Sequence, residues 1–324
     1  MSNMILKIAV FVTLVYLCAC SEDQQQCAKF KFQDKETAPP SVVKVYFSLS
    51  SCEGEPISSV TAEDFVIKED GRTVEPQMGS QKVIQDQDRI RRTNLVLVDM
   101  AGSIAGGQNL GYIQRALLEF SNRNLQDHEM ALYAFDGRED LIEIADFTTK
   151  SGEITSAIET LDAFEVKDSS RNLNGAIIKG LKMLSSREQQ FKDALFIGSM
   201  VVITDGIDHA GFASDSRAAN DAASSKYTVQ ALGLGGDIDK DFLKAVGKDT
   251  ASFTTKLDSV GRIMLDMAEE IQTRAGSYYI LAYCSLSRAG SHKVTVELKG
   301  HGGALEFNFK ADSFSGGSCG SKDF

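Results

Sequence analysis

The sequence predicts an α/β fold: a doubly wound, mainly parallel sheet inserted in an antiparallel β-sandwich formed by both chain ends. Three observations carry this. In the middle of the 324 residues, short apolar strands alternate with amphipathic helices, the pattern of a parallel sheet covered on both faces. Both ends instead alternate apolar and polar residues with period two, the pattern of antiparallel strands with one wet face. Neither end has enough strands to close a sandwich alone, so the two must join.

Taken in order, residues 20–40 are polar and read as a tether, in which "KFKF" could add a short strand. In "VVKVYFSL", Val43, Val45, Phe47 and Leu49 share one face, and Lys44, Tyr46 and Ser48 are expected on the wet one. "DFVIKEDGRTVEP" holds Asp70-Gly71, a tight hairpin turn between two short strands. The parallel-sheet region, 91–275, opens with the strand "NLVLVD". A helix follows with Leu110, Ile113, Leu117 and Phe120 on one stripe. "EMALYAF" and "LIEIADF" are strands, "SGEITSAIETLDAF" a helix, and "NLNGAIIKGLKMLSS" a helix with Leu173, Ile177, Leu181 and Leu184 aligned. "SMVVITD", "YTVQALGLG" and "ASFTTK" are strands separated by helices near 213–225 and 239–247. "SVGRIMLDMAEEIQTRA" is the last helix. Residues 276–312 return to period two in "SYYILAYC", "HKVTVEL" and "ALEFNFKA", completing the sandwich begun at 41–90; 313–324 is a tail.

The N-terminus has one charge, Lys7, and then an apolar run from Ile8 to Cys18, shorter than the roughly 20 residues of a membrane span. Leu17-Cys18-Ala19-Cys20 resembles the lipobox of bacterial lipoproteins, which implies cleavage after residue 19 and a lipid on Cys20. An ordinary signal peptide or a short uncleaved anchor are the alternatives. The resemblance implies export and a lipid anchor in the cell envelope, with Ser21 pointing to the outer membrane. Removing 1–19 leaves Cys27, Cys52, Cys284 and Cys319 besides Cys20. An even number in an exported chain suggests two disulfides, with three possible connectivities. Cys52 follows one sandwich strand and Cys284 ends another, so the expected pairs are Cys52–Cys284 and Cys27–Cys319. Lys+Arg 34 against Asp+Glu 45, a net charge of −11, argues against nucleic acid as a partner.

Strand ends in a parallel sheet are where ligands bind, and both "LVLVDMAGS" and "VVITDG" end in a carboxylate. These two segments, with "SSRNLNGAIIKGLKML" between them, resemble the three metal-site segments of von Willebrand factor type A domains. "VTAEDFVIKEDGRTV" and "YYILAYCSLSRAGSHKVTVELKG" resemble the β-regions flanking such domains in bacterial exported proteins, so the likeness covers most of the chain. The family's metal ion-dependent adhesion site holds Mg²⁺ through Asp-x-Ser-x-Ser, a Thr and a second strand-end Asp, leaving one position for a partner's carboxylate. Asp99, Ser103 and Asp205 match that pattern. Ala101 stands where the first Ser belongs, and Arg171 where the Thr belongs. Ser170 lies one residue early, and Asp208 is read as a solvated loop residue.

Mg²⁺ requires near-octahedral oxygen coordination, and two hydroxyl ligands are missing. A guanidinium is permanently charged and can fork between carboxylates. The expectation is that Arg171 replaces the metal's charge between Asp99 and Asp205, with no cofactor. An empty site with Arg171 in solvent comes second, and a retained Mg²⁺ held by Asp99, Ser103 and Asp205 third. The four histidines show no metal-ligand spacing, Ser103 is not in a G-x-S-x-G elbow, and Glu63-Asp64 and Glu69-Asp70 are read as solvated. These readings point to a non-enzymatic protein-interaction or adhesion module, anchored to a membrane and binding protein partners. The alternative is a scaffold subunit of an envelope motility or secretion complex.

Overall fold

The computed structural model describes residues 26–324 apart from 85–88, 103, 106–108, 127, 192–193 and 316. The expected signal segment, Cys20 and Ser103 lie outside the described residues. The chain opens with β1 (Gln26–Ala38), β2 (Val42–Ser51), β3 (Phe65–Glu69), β4 (Arg72–Thr73), the short α1 (Pro76–Gly79) and β5 (Lys82–Ile84). The middle runs β6 (Ile90–Asp99), α2 (Asn109–Asn124), β7 (Glu129–Phe135), β8 (Ile142–Thr148), α3 (Ser151–Thr160) and α4 (Leu173–Glu188). It continues through β9 (Leu195–Thr204), α5 (Asp215–Ser224), β10 (Thr228–Leu234), α6 (Lys240–Val246), β11 (Thr250–Thr254) and α7 (Val260–Ala275). The chain then returns as β12 (Tyr278–Cys284), β13 (Ser291–Leu298), β14 (His301–Gly302) and β15 (Ala304–Lys310).

The central sheet has the order β11-β10-β9-β6-β7-β8, parallel except for the antiparallel edge β8. Period two along β6 sends Val96 and Val98 to one face and Leu95 and Leu97 to the other. The first pair packs with α2, α3 and α7, the second with α4, α5 and α6. The chain lays β7 and β8 on one side of β6, then crosses to lay β9, β10 and β11 on the other. The carboxyl ends of β6 and β9 therefore form the switch point of the sheet, where a crevice opens.

The ends pair as expected. β12 lies between β2 and β5, and β13 between β15 and β3, so each sandwich sheet draws on both ends of the chain. Phe47, Phe65 and Tyr279 meet at centroid distances of 5.6, 5.7 and 5.9 Å in the core between the two sheets. Asp70 and Gly71 both have positive φ, 50° and 78°, as a two-residue hairpin turn requires.

Three expectations fail here. The tether is instead a strand from residue 26: β1 pairs with β2 along its length, although Ala28 is its one fully buried residue. The second face of β2 is not wet. Tyr46, with Ile280 and Ala282, packs on Ile90, Ile197 and Ala275 from the base of the central layer, and Lys44 is buried too. The disulfides are Cys27–Cys52 and Cys284–Cys319, with Cα separations of 5.5 and 5.8 Å, rather than Cys52–Cys284 and Cys27–Cys319. Antiparallel pairing sets Ala28 opposite Ser51 and so brings Cys27 to Cys52. The tail returns along the β1–β2 turn, where Ser315 N donates to Pro40 O, beside the end of β12.

Candidate functional site

β6 is buried on both faces and delivers Asp99, fully buried, to its carboxyl end. Neighbouring β9 delivers Thr204, and Asp205 follows it. The third component comes from the loop before α4. Asn172 caps that helix by accepting from Gly175 N at 3.1 Å, and this cap fixes the preceding residue, Arg171, over the crevice.

Arg171 is buried, and its guanidinium lies between the two carboxylates. Nε donates to Asp99 Oδ2, Nη2 donates to Asp205 Oδ1, and Nη1 reaches Ile207 O at 3.4 Å. Asp99 is further held by Thr204 Oγ1, donating at 2.6 Å, and by Ala101 N, donating at 2.9 Å. Burial raises the Asp99 carboxyl to about 6, against the opposing pull of Arg171 and Thr204. Two glycines make room for the guanidinium. A Cβ on Gly206 would stand 2.1 Å from Arg171 Nη1. One on Gly102, whose φ is +65°, would stand 2.8 Å from Nη2.

The loop that carries Arg171 is anchored on several sides. Arg171 O accepts from His209 N at 2.9 Å and Ala210 N at 3.1 Å. Asp208, expected in solvent, instead accepts from Asn174 N and Gly211 N, both at 2.9 Å, because the loop after β9 folds back onto the start of α4. Ser170 turns away from the crevice and donates to Asp168 Oδ1 at 2.7 Å. On the β7 side, the fully buried Asp136 accepts from Arg138 Nε at 2.9 Å and Lys167 N at 3.1 Å, while its carbonyl accepts from Asn172 N at 2.9 Å. Burial pulls the Asp136 carboxyl upward, but the bonds from Arg138 and Lys167 outweigh it and hold the group below the usual range.

The structure thus brings together Asp99, Ala101, Arg171 and Asp205, all four read from the sequence and all described. Sequence reasoning missed Thr204 and the Asp136–Arg138 anchor. The signal was present: "AFDG" ends a strand in Asp-Gly as "ITDG" does. Beside Arg171 and Asp205 an open groove of about 1010 Å³ runs past Ile207 to Asp237, Lys240 and Asp241. Among the described residues no group of three or more His, Cys, Asp or Glu side chains converges where it could hold a metal ion.

No family model matches the sequence, and no curated protein matches it. Solved structures do match by shape. BatB from Bacteroides thetaiotaomicron aligns at 16% identity and TM-score 0.45, over 57% of this chain and 100% of that one. The von Willebrand factor domain of the pilus tip protein Mfa5 from Porphyromonas gingivalis aligns at 12% identity and TM-score 0.43, over 57% and 96%. A von Willebrand factor type A protein from Catenulispora acidiphila aligns at 10% identity and TM-score 0.50, over 90% of this chain and 74% of that one. With that last structure, across most of both chains, this protein shares the von Willebrand factor type A fold.

Proposed function

We propose that the chain is an extracytoplasmic, membrane-anchored protein-interaction module whose adhesion site is locked without metal by Arg171. The observation that carries this is the guanidinium forked between Asp99 and Asp205. A divalent cation needs that space and those oxygens, and a permanent positive charge repels it. The residues described there do not fit the family's Mg²⁺. A partner therefore meets the groove through Ile207, which is 41% exposed, and its acidic rim, rather than through a metal-bound carboxylate.

Capture of partners from solubilised membranes tests this, with the full chain as bait. Retention should be the same in Mg²⁺ and in chelator, and should fall when Ile207→Asp and Asp237→Lys are introduced together. Release of the partner by chelator alone would overturn the metal-free site. A stable envelope complex indifferent to both treatments would instead support a scaffold role.

The lipobox-like "LCAC" and two disulfides support export. No helix among the described residues is long and apolar enough to cross a membrane. Cys20→Ser should move the protein from the membrane pellet to the soluble fraction of the envelope. A Cys20→Ser protein that still pellets would exclude the lipid anchor.

A further inference from the structure

A second polar cluster lies in the sandwich, on the β3–β4 turn and the loop from Ser285 to Gly290 that joins β12 to β13. Glu69, expected in solvent, is 7% exposed. It is covered because that loop folds over it, Ser285 Oγ donating to Glu69 at 2.9 Å and Ser287 Oγ donating as well, while Tyr283 Oη donates from β12 at 3.1 Å. Beside it, His292 Nδ1 lies 2.7 Å from Asp70 Oδ2, and Nε2 lies 2.9 Å from Ala289 O. A carboxylate and a carbonyl can only accept, so the imidazolium, donating from both nitrogens, satisfies both at once. The neutral ring has one N–H and leaves one acceptor unmet.

This cluster is not a catalytic relay. Ser287 Oγ approaches the same Nδ1, at 3.3 Å, that Asp70 already holds, and the other nitrogen is closed by Ala289. What the ring joins are two backbone segments. We propose that His292 is an acid-closed latch, which ties the Ala289 end of the Ser285–Gly290 loop to the Asp70 turn when protonated and loosens that tie as pH rises, while the Ser285 and Ser287 bonds to Glu69 persist. The loop also carries Leu286, 53% exposed, between the two serines that bond Glu69.

The charged surroundings fit. From the β3–β4 turn, Asp70 and Glu69 face the ring, with Arg72 close to Asp70. From the loop, Arg288 Nη1 donates to Ser285 O at 2.8 Å and Ser287 O at 2.9 Å, which directs its charge to the loop carbonyls. On β13, Lys293 pairs with Glu306 at 2.9 Å; beyond β15, Asp312 accepts from Gly290 N at 3.1 Å. The Phe309 ring covers the imidazole at 5.5 Å between centroids. Hydrogen bonds to Asp70 and then to the Ala289 carbonyl hold the His292 pKa above its ordinary 6.5. A raised pKa means that the latch is fully closed below 6.5 and is lost as pH climbs through the higher folded value.

Hydrogen exchange across the peptide spanning 285–292, together with NMR titration of the His292 ring in the full chain, tests this. After correction for intrinsic rates, protection at pH 5.5 should exceed that at pH 8.5 by about threefold or more. His292→Gln should abolish the difference. Asp70→Asn, which tolerates the turn's φ of 50°, should shift the ring's midpoint toward acid. A ring that titrates at or below 6.5 would overturn the latch, as would a pH dependence that survives in His292→Gln.

Discussion

Arg171→Ala will destabilise the protein by roughly 3–5 kcal/mol at neutral pH, the cost of leaving buried carboxylates without their cation. Asp99 is fully buried, and Thr204 and Ala101 N are its remaining donors once the guanidinium is gone. The penalty should depend on pH with a definite sign. Asp99 already sits near 6 with Arg171 in place, and Arg171 is the largest influence lowering it. Without that influence the folded pKa climbs further above the unfolded value, so the folded variant binds a proton that the unfolded chain does not. Stability of the variant therefore falls as pH rises through the new pKa. Denaturant unfolding should show the difference from wild type to be largest at pH 8 and smaller near pH 5. An equal difference at both would mean that Asp99 does not titrate in the variant. Arg171→Lys should recover only part of the loss, since an ammonium offers one nitrogen where the guanidinium reaches Asp99 and Asp205 with two.

The paired change Ala101→Ser with Arg171→Thr should convert the locked site into one that binds Mg²⁺. It removes the permanent charge from between Asp99 and Asp205 and restores two hydroxyls where the family pattern has them. Ala101 is already in contact with the right group, its N–H donating to Asp99, so a hydroxyl added there starts beside the carboxylates. Without metal the double variant should be less stable than wild type, for the reason given for Arg171→Ala. Mg²⁺ at 100 times its dissociation constant should return about 2.7 kcal/mol. The thermal midpoint of the double variant should then rise with Mg²⁺ while that of wild type stays flat. A double variant indifferent to Mg²⁺ would show that the loop does not relax into a coordinating geometry.

Much of the fold was legible because the central strands are buried on both faces and their helices on one. Leu110, Ile113, Leu117 and Phe120 all lie in one core cluster, as their spacing predicts. Asp99, Ala101 and Asp205 were legible because they sit at or just past strand ends, which the sheet fixes, and Arg171 because it directly precedes the capped start of α4. What failed depended on tertiary cover. β1 looked like a tether because its neighbour on one side is only the two-residue β14, which leaves Lys29, Lys31 and Lys35 in water. Its missing assignment then misdirected the cysteine pairing, since Cys27 meets Cys52 only through the β1–β2 register. Lys44 and Tyr46 looked wet because nothing in "VVKVYF" records that the base of the central layer covers that face. Glu69 looked wet because the three hydroxyls that bury it stand more than 200 residues away.

Calorimetric titration of Mg²⁺ and Mn²⁺ into the purified, chelator-treated chain tests the metal-free site most directly. With Arg171 between Asp99 and Asp205, neither ion should give a heat of binding, and neither should shift the unfolding midpoint. Stoichiometric Mg²⁺ binding at micromolar affinity, abolished by Asp205→Ala, would contradict it.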